Sequence, residues 1–384
     1  MSKRQLAMVM DLNKCIGCQT CTTACKTQWT NRNGREYMYW NNVETQPGNG
    51  YPRKWEESGG GFDPQGKVQE GRIPLLERDY GVPVELNYSK SMGPLGGRQF
   101  GRSADAPPSF DDRRPPLAPV TKPKGGPNWD EDIGAGEYPN SYYFYLPRIC
   151  NHCSNPACLA ACPRKAIYKR EEDGIVLVDQ SRCRGYQNCV AACPYKKVYY
   201  NPLFQRSEKC IFCYPRIEQG LPPACAKQCV GRIRFVGYLD DEESAVYQLV
   251  KEWKVALPLH EEYGTQPNVY YVPPLSPPKY DSEGRLTGEQ RIPDEYLISL
   301  FGPRVPEVLK ALQEERNKRR SGEDSELMDI LIAYRQEEMF SLDADYYQKG
   351  GETENQATRN EVSIPVASIG RGAMKQNGKE EESV

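Results

Sequence analysis

The chain has 384 residues, enough for two or three domains, and combines 38% hydrophobic residues with 33 glycines and 32 prolines. That balance implies much loop held by something other than a large apolar core, and the 15 cysteines point to metal clusters as the hold. Fifty basic residues against 52 acidic ones leave a net charge of -2 and no basic region, which disfavours a nucleic-acid binder; no apolar run reaches the roughly 18 residues of a membrane helix.

At the N-terminus, Lys3-Arg4 is followed only by Leu6 to Met10 before Asp11 interrupts, too short an apolar run for a signal peptide, so no address is expected from this segment. The first motif is Cys15-x2-Cys18-x2-Cys21-x3-Cys25, the spacing of a bacterial ferredoxin, in which three thiolates wrap one cubane and the fourth reaches a neighbouring one. Residues 31–139 are rich in Gly and Pro, with Trp40, Trp55 and Trp129 among polar residues. So long an irregular connection is expected to be a partner-facing insertion.

The second motif, Cys150-x2-Cys153-x4-Cys158-x3-Cys162, is followed by Pro163. Ala166 to Arg170, Asp173-Gly174 and Ile175 to Val178 then read as a tight hairpin. The third, Cys183-x2-Tyr186-x2-Cys189-x3-Cys193 before Pro194, has tyrosine in the second ligand slot, and the fourth is Cys210-x2-Cys213-x11-Cys225-x3-Cys229. Beyond it, Val246, Leu249, Val250 and Trp253, then Val305, Val308, Leu309 and Leu312, then Leu327, Ile330, Leu331 and Tyr334 fall at helical spacing and predict three amphipathic faces. The residues from 341 onward read as a polar tail.

An odd number of thiols at sequential spacing does not suit a disulfide framework, and no Cys-x-x-Cys is followed by the histidine of haem attachment. Structural zinc is the remaining alternative, strongest for the fourth motif taken alone. In a two-cluster ferredoxin the fourth cysteine of each motif completes the other's cluster. Motifs two and three are the local pair, leaving motifs one and four to form an outer unit around them. Cluster one then takes Cys15, Cys18, Cys21 and Cys229; cluster two takes Cys25, Cys210, Cys213 and Cys225; cluster three takes Cys150, Cys153, Cys158 and Cys193. Cluster four is left with Cys162, Cys183 and Cys189, because Tyr186 offers a hard oxygen where a soft thiolate is wanted. Three thiolates suit a [3Fe-4S] cluster, with an oxygen-ligated cubane as the alternative.

His152, between two ligands, is a candidate for tuning cluster potential or for plain packing. Lys14, Lys26, Lys196, Lys197 and Lys209 flank ligands and either offset cluster charge or are simply solvated. No catalytic constellation is present: there are two histidines, no phosphate loop, and no cysteine left over as a nucleophile. The expected architecture is α+β: an outer ferredoxin-like unit (1–30 and 195–240), the insertion (31–139), an inner unit (140–194), a helical region (241–340) and the tail (341–384).

The four-motif order with an aromatic at 186, Asp11 to Cys18, Met38 to Glu44 and Asn151-His152-Cys153 together resemble one family. It is the beta, electron-transfer subunits of the type II branch of the dimethyl sulfoxide reductase family of molybdenum enzymes. That branch includes ethylbenzene and dimethylsulfide dehydrogenases, selenate, chlorate and perchlorate reductases and, more distantly, respiratory nitrate reductase. The resemblance implies an alpha partner carrying the molybdenum cofactor and a gamma partner carrying b-type haem, with cluster one toward alpha and the three-iron cluster toward gamma. It also implies a periplasmic location, reached with an alpha subunit bearing a twin-arginine signal, with the cytoplasm as the alternative. The closest rival, a four-cubane subunit of a formate dehydrogenase or hydrogenase, commonly has cysteine at all sixteen positions and often a membrane anchor, so Tyr186 argues against it.

Overall fold

The computed structural model describes residues 4–31, 34–80 and 134–350; Trp129 and the chain beyond 350 lie outside the described residues. The organising element is a mixed sheet built on β1 (Leu6–Asp11), every residue of which is buried. Both faces of the strand are covered, which is why it reads as an uninterrupted apolar run rather than an alternating one. β1 runs antiparallel to β8 (Arg234–Tyr238), with Leu6 opposite Tyr238, and parallel to β10 (Val269–Val272), with Met8 opposite Val269. The short β9 (Leu257–Pro258) closes the far edge of the sheet against β10. Because β8 follows the fourth cysteine motif and β1 precedes the first, this pairing folds the two ends of the cysteine-bearing chain together. The helix that closes the first motif, α1 (Thr20–Cys25), consequently packs against that of the fourth, α5 (Ala224–Lys227).

The remaining strands form two-stranded pairs. β4 (Ile167–Lys169) and β5 (Val176–Val178) are the hairpin foreseen between motifs two and three, and α2 (Ala157–Ala160) packs on α3 (Asn188–Ala192) beside it. β6 (Val198–Asn201) and β7 (Arg206–Lys209) lead from motif three into motif four, whose first helical turn is α4 (Tyr214–Ile217).

One finding departs from the sequence reading of 31–139. β2 (Asn42–Gln46) pairs antiparallel with β3 (Phe144–Arg148), and Trp40 and Trp55 are 3% and 1% exposed, so this part of the stretch belongs to the chain's own interior. Its polar residues are buried because they pair with one another: Glu44 accepts from Arg148 at 2.8 Å, and that guanidinium stacks 3.6 Å over the Trp55 ring.

Of the three amphipathic faces, Val305, Val308, Leu309 and Leu312 lie buried along α8 (Val305–Ser321), which follows α7 (Asp294–Phe301). The face at Val246 begins in α6 (Ala245–Tyr247) and continues through a wider turn over Gln248–Glu252. In α9 (Glu326–Ile332), Leu327 and Leu331 are buried, but Ala333 adopts a left-handed conformation that ends the helix and leaves Tyr334 exposed. The stretch read as a polar tail starts with a helix, α10 (Ala344–Gly350). There Tyr347 is buried, donating to Asp173 at 3.0 Å and accepting from Tyr238 at 3.0 Å. Among the described residues no helix is long and apolar enough to cross a membrane.

Candidate metal centres

The first and third motifs build their loops by the same backbone route. Gly17 and Gln19 take φ of 65° and 57°, and Gly185 and Gln187 take 70° and 61°, after which α1 and α3 begin at once. Such an alternation of handedness turns successive N–H groups to one side, a concavity suited to anionic sulfur. A side chain at either glycine is excluded: a Cβ on Gly17 would stand 2.6 Å from the Tyr145 ring, and one on Gly185 would stand 2.4 Å from the Gln205 carbonyl oxygen. Tyr186 thus occupies in one loop the place that Cys18 occupies in the other. Both side chains are exposed, Tyr186 by 60%.

The neighbours of four thiols outline four sets, which touch one another where Cys210 faces Cys150 and Cys225 faces Cys21. Cys15 faces Cys21 and Cys229, and burial, with repulsion from those neighbours, pushes its thiol up to about 12. Cys25 faces Cys210, Cys225 and Cys213 and is pushed well above the ordinary thiol range, chiefly by burial. Cys158 faces Cys193, Cys150 and Cys153, with the same direction and the same main cause. Cys189 faces Cys183 and Cys162 and is pushed by burial up to about 11. Cys18 lies in the loop between Cys15 and Cys21.

The 15 cysteines are all free. Among the described residues, no three His, Cys, Asp or Glu side chains converge tightly enough to hold a single metal ion. A tetrahedral zinc with bonds of about 2.3 Å needs its sulfurs within about 4 Å of one another, whereas an iron-sulfur cluster is a larger body held by cysteine thiolates. Burial favours the protonated form of thiols such as Cys15, Cys25, Cys158 and Cys189, and coordination by iron would supply the charge that holds them as thiolates.

Donors already aim at the sulfurs. Trp29 Nε1–H donates to Cys213 Sγ at 3.0 Å, and the N–H groups of Ala166, Ser207 and Phe212 approach the sulfurs of Cys162, Cys183 and Cys210 at 3.3, 3.3 and 3.4 Å. Ser207 Oγ lies 3.3 Å from Cys189 Sγ. His152 is fully enclosed; its Nδ1 accepts from Val176 N–H at 3.1 Å, its Nε2 has no partner, and its ring meets Phe212 edge-on at 5.1 Å. Burial, with Lys209 and Lys169 nearby, holds this imidazole well below its ordinary pKa and hence neutral.

The lysines beside the ligands are not simply solvated. Lys26, Lys196, Lys197 and Lys209 are buried and bond mainly to backbone oxygens. Lys26 reaches the carbonyls of Arg35, Glu36 and Met38 at 2.8, 2.7 and 3.1 Å. Lys196 donates to Ala191 O at 2.7 Å and Lys209 to Cys210 O at 3.0 Å, whereas Lys197 bonds the Asn42 side chain. Burial lowers Lys26 to about 7 and Lys196 to about 8. Lys14 is half-buried and spans to the carbonyl of Arg232 at 2.7 Å.

Sequence reasoning passed over Arg234, which is 0% exposed in β8, its guanidinium set between Cys21 and Cys225. The available signal was one charge inside the apolar run from Ile233 to Tyr238.

Comparison with known proteins identifies the chain as one that binds iron-sulfur clusters. A family described as "4Fe-4S dicluster domain" matches residues 141–239, and one described as "4Fe-4S binding domain" matches 6–27. The chain is 62% identical to the dimethylsulfide dehydrogenase beta subunit of Rhodovulum sulfidophilum, over 89% of this chain and 100% of that one. It is 57% identical to the selenate reductase beta subunit of Thauera selenatis, with the same coverage of 89% and 100%. Against the respiratory nitrate reductase 1 beta chain of Escherichia coli the identity is 38%, over 81% and 79% of the two chains. The chain therefore belongs to the iron-sulfur beta subunits of the type II branch of the dimethyl sulfoxide reductase family of molybdenum enzymes, and its function is electron transfer.

Proposed function

We propose that the chain carries three [4Fe-4S] clusters and one [3Fe-4S] cluster in single file between a molybdenum-containing alpha subunit and a b-haem gamma subunit. The ligand sets are Cys15, Cys18, Cys21 and Cys229; Cys25, Cys210, Cys213 and Cys225; Cys150, Cys153, Cys158 and Cys193; and Cys162, Cys183 and Cys189 for the three-iron centre. The carrying observation is the last group: three thiols meet, and the loop that would supply a fourth presents Tyr186 in the place of Cys18.

The order of the sets follows from their junctions. Cys21 and Cys225 lie on the two arms of Arg234, Cys210 faces Cys150, and the short helices that carry Cys158 and Cys189 pack on each other. Bound clusters supply one-electron chemistry; the chain holds their thiolates, keeps water away and directs N–H groups at sulfur. Set one faces alpha, where Ile16 and Val230 beside its ligands are 66% and 64% exposed. The three-iron set faces gamma, beside the exposed Tyr186 and Phe204. The complex works in the periplasm, carried there with an alpha subunit that bears the export signal.

Cys229→Ala in the purified complex tests the relay. It should remove cluster one and stop the alpha subunit's substrate from changing the oxidation state of the three-iron centre, while clusters three and four still exchange electrons with the gamma side. Loss of the Cys210–Cys213 cluster in place of cluster one would reject the pairing.

A further inference from the structure

Arg234 is buried completely, yet no carboxylate lies within ion-pair distance of it among the described residues. Its Nη2 donates to Asn41 Oδ1 at 2.6 Å and approaches Cys21 Sγ at 3.4 Å. Its Nη1 approaches Cys225 Sγ at 3.6 Å and Met8 Sδ at 3.7 Å, and Nε has no partner. One oxygen acceptor for five N–H groups is far too little to compensate a guanidinium taken out of water. Its anionic partners are sulfurs, Cys21 from one set and Cys225 from the next.

The rigid fork decides the geometry. An ammonium is a single point of charge, whereas the two arms of a guanidinium reach two sulfurs at once. Asn41 holds the fork in place, and its own amide is fixed by donation to Thr22 Oγ1 at 3.3 Å. The backbone at Arg234 is pinned as well, within β8 opposite Met10.

We propose that Arg234 is a positioning residue shared by the first two clusters, bridging a ligand sulfur of each and raising both reduction potentials together. This rests on the ligand sets proposed above. Reduction of either cluster adds one electron and no proton to a centre that is already anionic, and a fixed cation against its sulfur offsets the added charge. When an electron passes between the two, one cluster is oxidised as the other is reduced, and Arg234 touches both states. Without it, both clusters should become harder to reduce, while the two more distant clusters stay as they were.

The test is an EPR-monitored redox titration of the intact complex, with iron assayed on each sample, for the parent protein, Arg234→Gln and Arg234→Lys. In Arg234→Gln the reduced-to-oxidised ratio of clusters one and two should fall at least tenfold at a given potential, about 59 mV each for one electron. Clusters three and four should stay within about twofold. In Arg234→Lys at least one of the first two should show the same fall, because an ammonium reaches one sulfur at a time. Unchanged potentials in a fully loaded Arg234→Gln protein, or an equal shift of all four clusters, would overturn the proposal. Should Arg234→Gln fail to assemble its clusters, the lysine variant decides alone, and unchanged potentials there overturn it. A parent complex without the expected four-cluster spectrum instead defeats the ligand assignment, an outcome visible before any variant is compared.

Discussion

Glu44→Leu should be among the most damaging substitutions that leave every cysteine in place. The Glu44 carboxylate is 0% exposed and accepts from Arg148 Nε at 2.8 Å, Tyr51 N–H at 2.9 Å, Asn42 Nδ2 at 2.9 Å and Trp55 Nε1 at 3.2 Å. Removing it strands a buried guanidinium whose remaining partners are the carbonyls of Tyr51 at 2.9 Å and Tyr195 at 3.3 Å, with Lys197 close by. Breaking a buried pair on one side costs about 3–5 kcal/mol. That is a large share of the roughly 5–15 kcal/mol by which a domain is stable. Removing both charges, as Glu44→Leu with Arg148→Met, avoids the stranded cation and should recover much of the loss. The assay is thermal loss of visible cluster absorbance in the intact complex, at one protein concentration, with iron content as the control. A single variant as stable as the parent, or a double variant no better than the single, would refute the reasoning.

Three further outcomes are expected. Tyr186→Cys should add about one iron per chain and convert the three-iron centre to a cubane, since the backbone at 185–187 already follows the route of 17–19; iron analysis with EPR of the oxidised protein reads this directly. Trp29→Phe removes the donor 3.0 Å from Cys213 Sγ. The potential of cluster two should fall by about 40 mV, equivalent to one hydrogen bond of about 1 kcal/mol, with the three-iron centre unmoved. Stripping iron with a chelator under anaerobic conditions should abolish near-UV circular dichroism. Thiols as strongly shifted by burial as Cys25 and Cys158 are poor substitutes for the clusters they are built around.

What the sequence made legible was whatever depends on local spacing. The four thiol motifs, the Asp173-Gly174 hairpin and the α8 face at Val305 to Leu312 repeat at intervals fixed by backbone geometry, so each could be read without knowing its neighbours. Burial of polar groups depends on partners distant in the chain, and there the reading failed. Trp40 and Trp55 looked like partner-facing aromatics because polar residues stand beside them in the sequence, yet Asn41, Asn42 and Glu44 are satisfied by Arg234, Lys197 and Arg148, each more than a hundred residues away. For the lysines beside the ligands the sequence left open whether they offset cluster charge or are solvated, and the backbone carbonyls that bury Lys26 and Lys196 could not be read from it. Tyr334 fits the helical interval perfectly well, but the helix stops at Ile332, and periodicity carries no information about where a helix ends.

The central claim, three cubanes and a single three-iron centre, is tested most directly by low-temperature EPR on the anaerobically purified complex, oxidised and then reduced stepwise, with iron and zinc assayed on the same sample. The account predicts a three-iron signal in the oxidised state, interacting cubane signals on reduction and about 15 irons per beta chain. An oxidised sample silent for three-iron species with about 16 irons per chain, or zinc in place of iron, would contradict it.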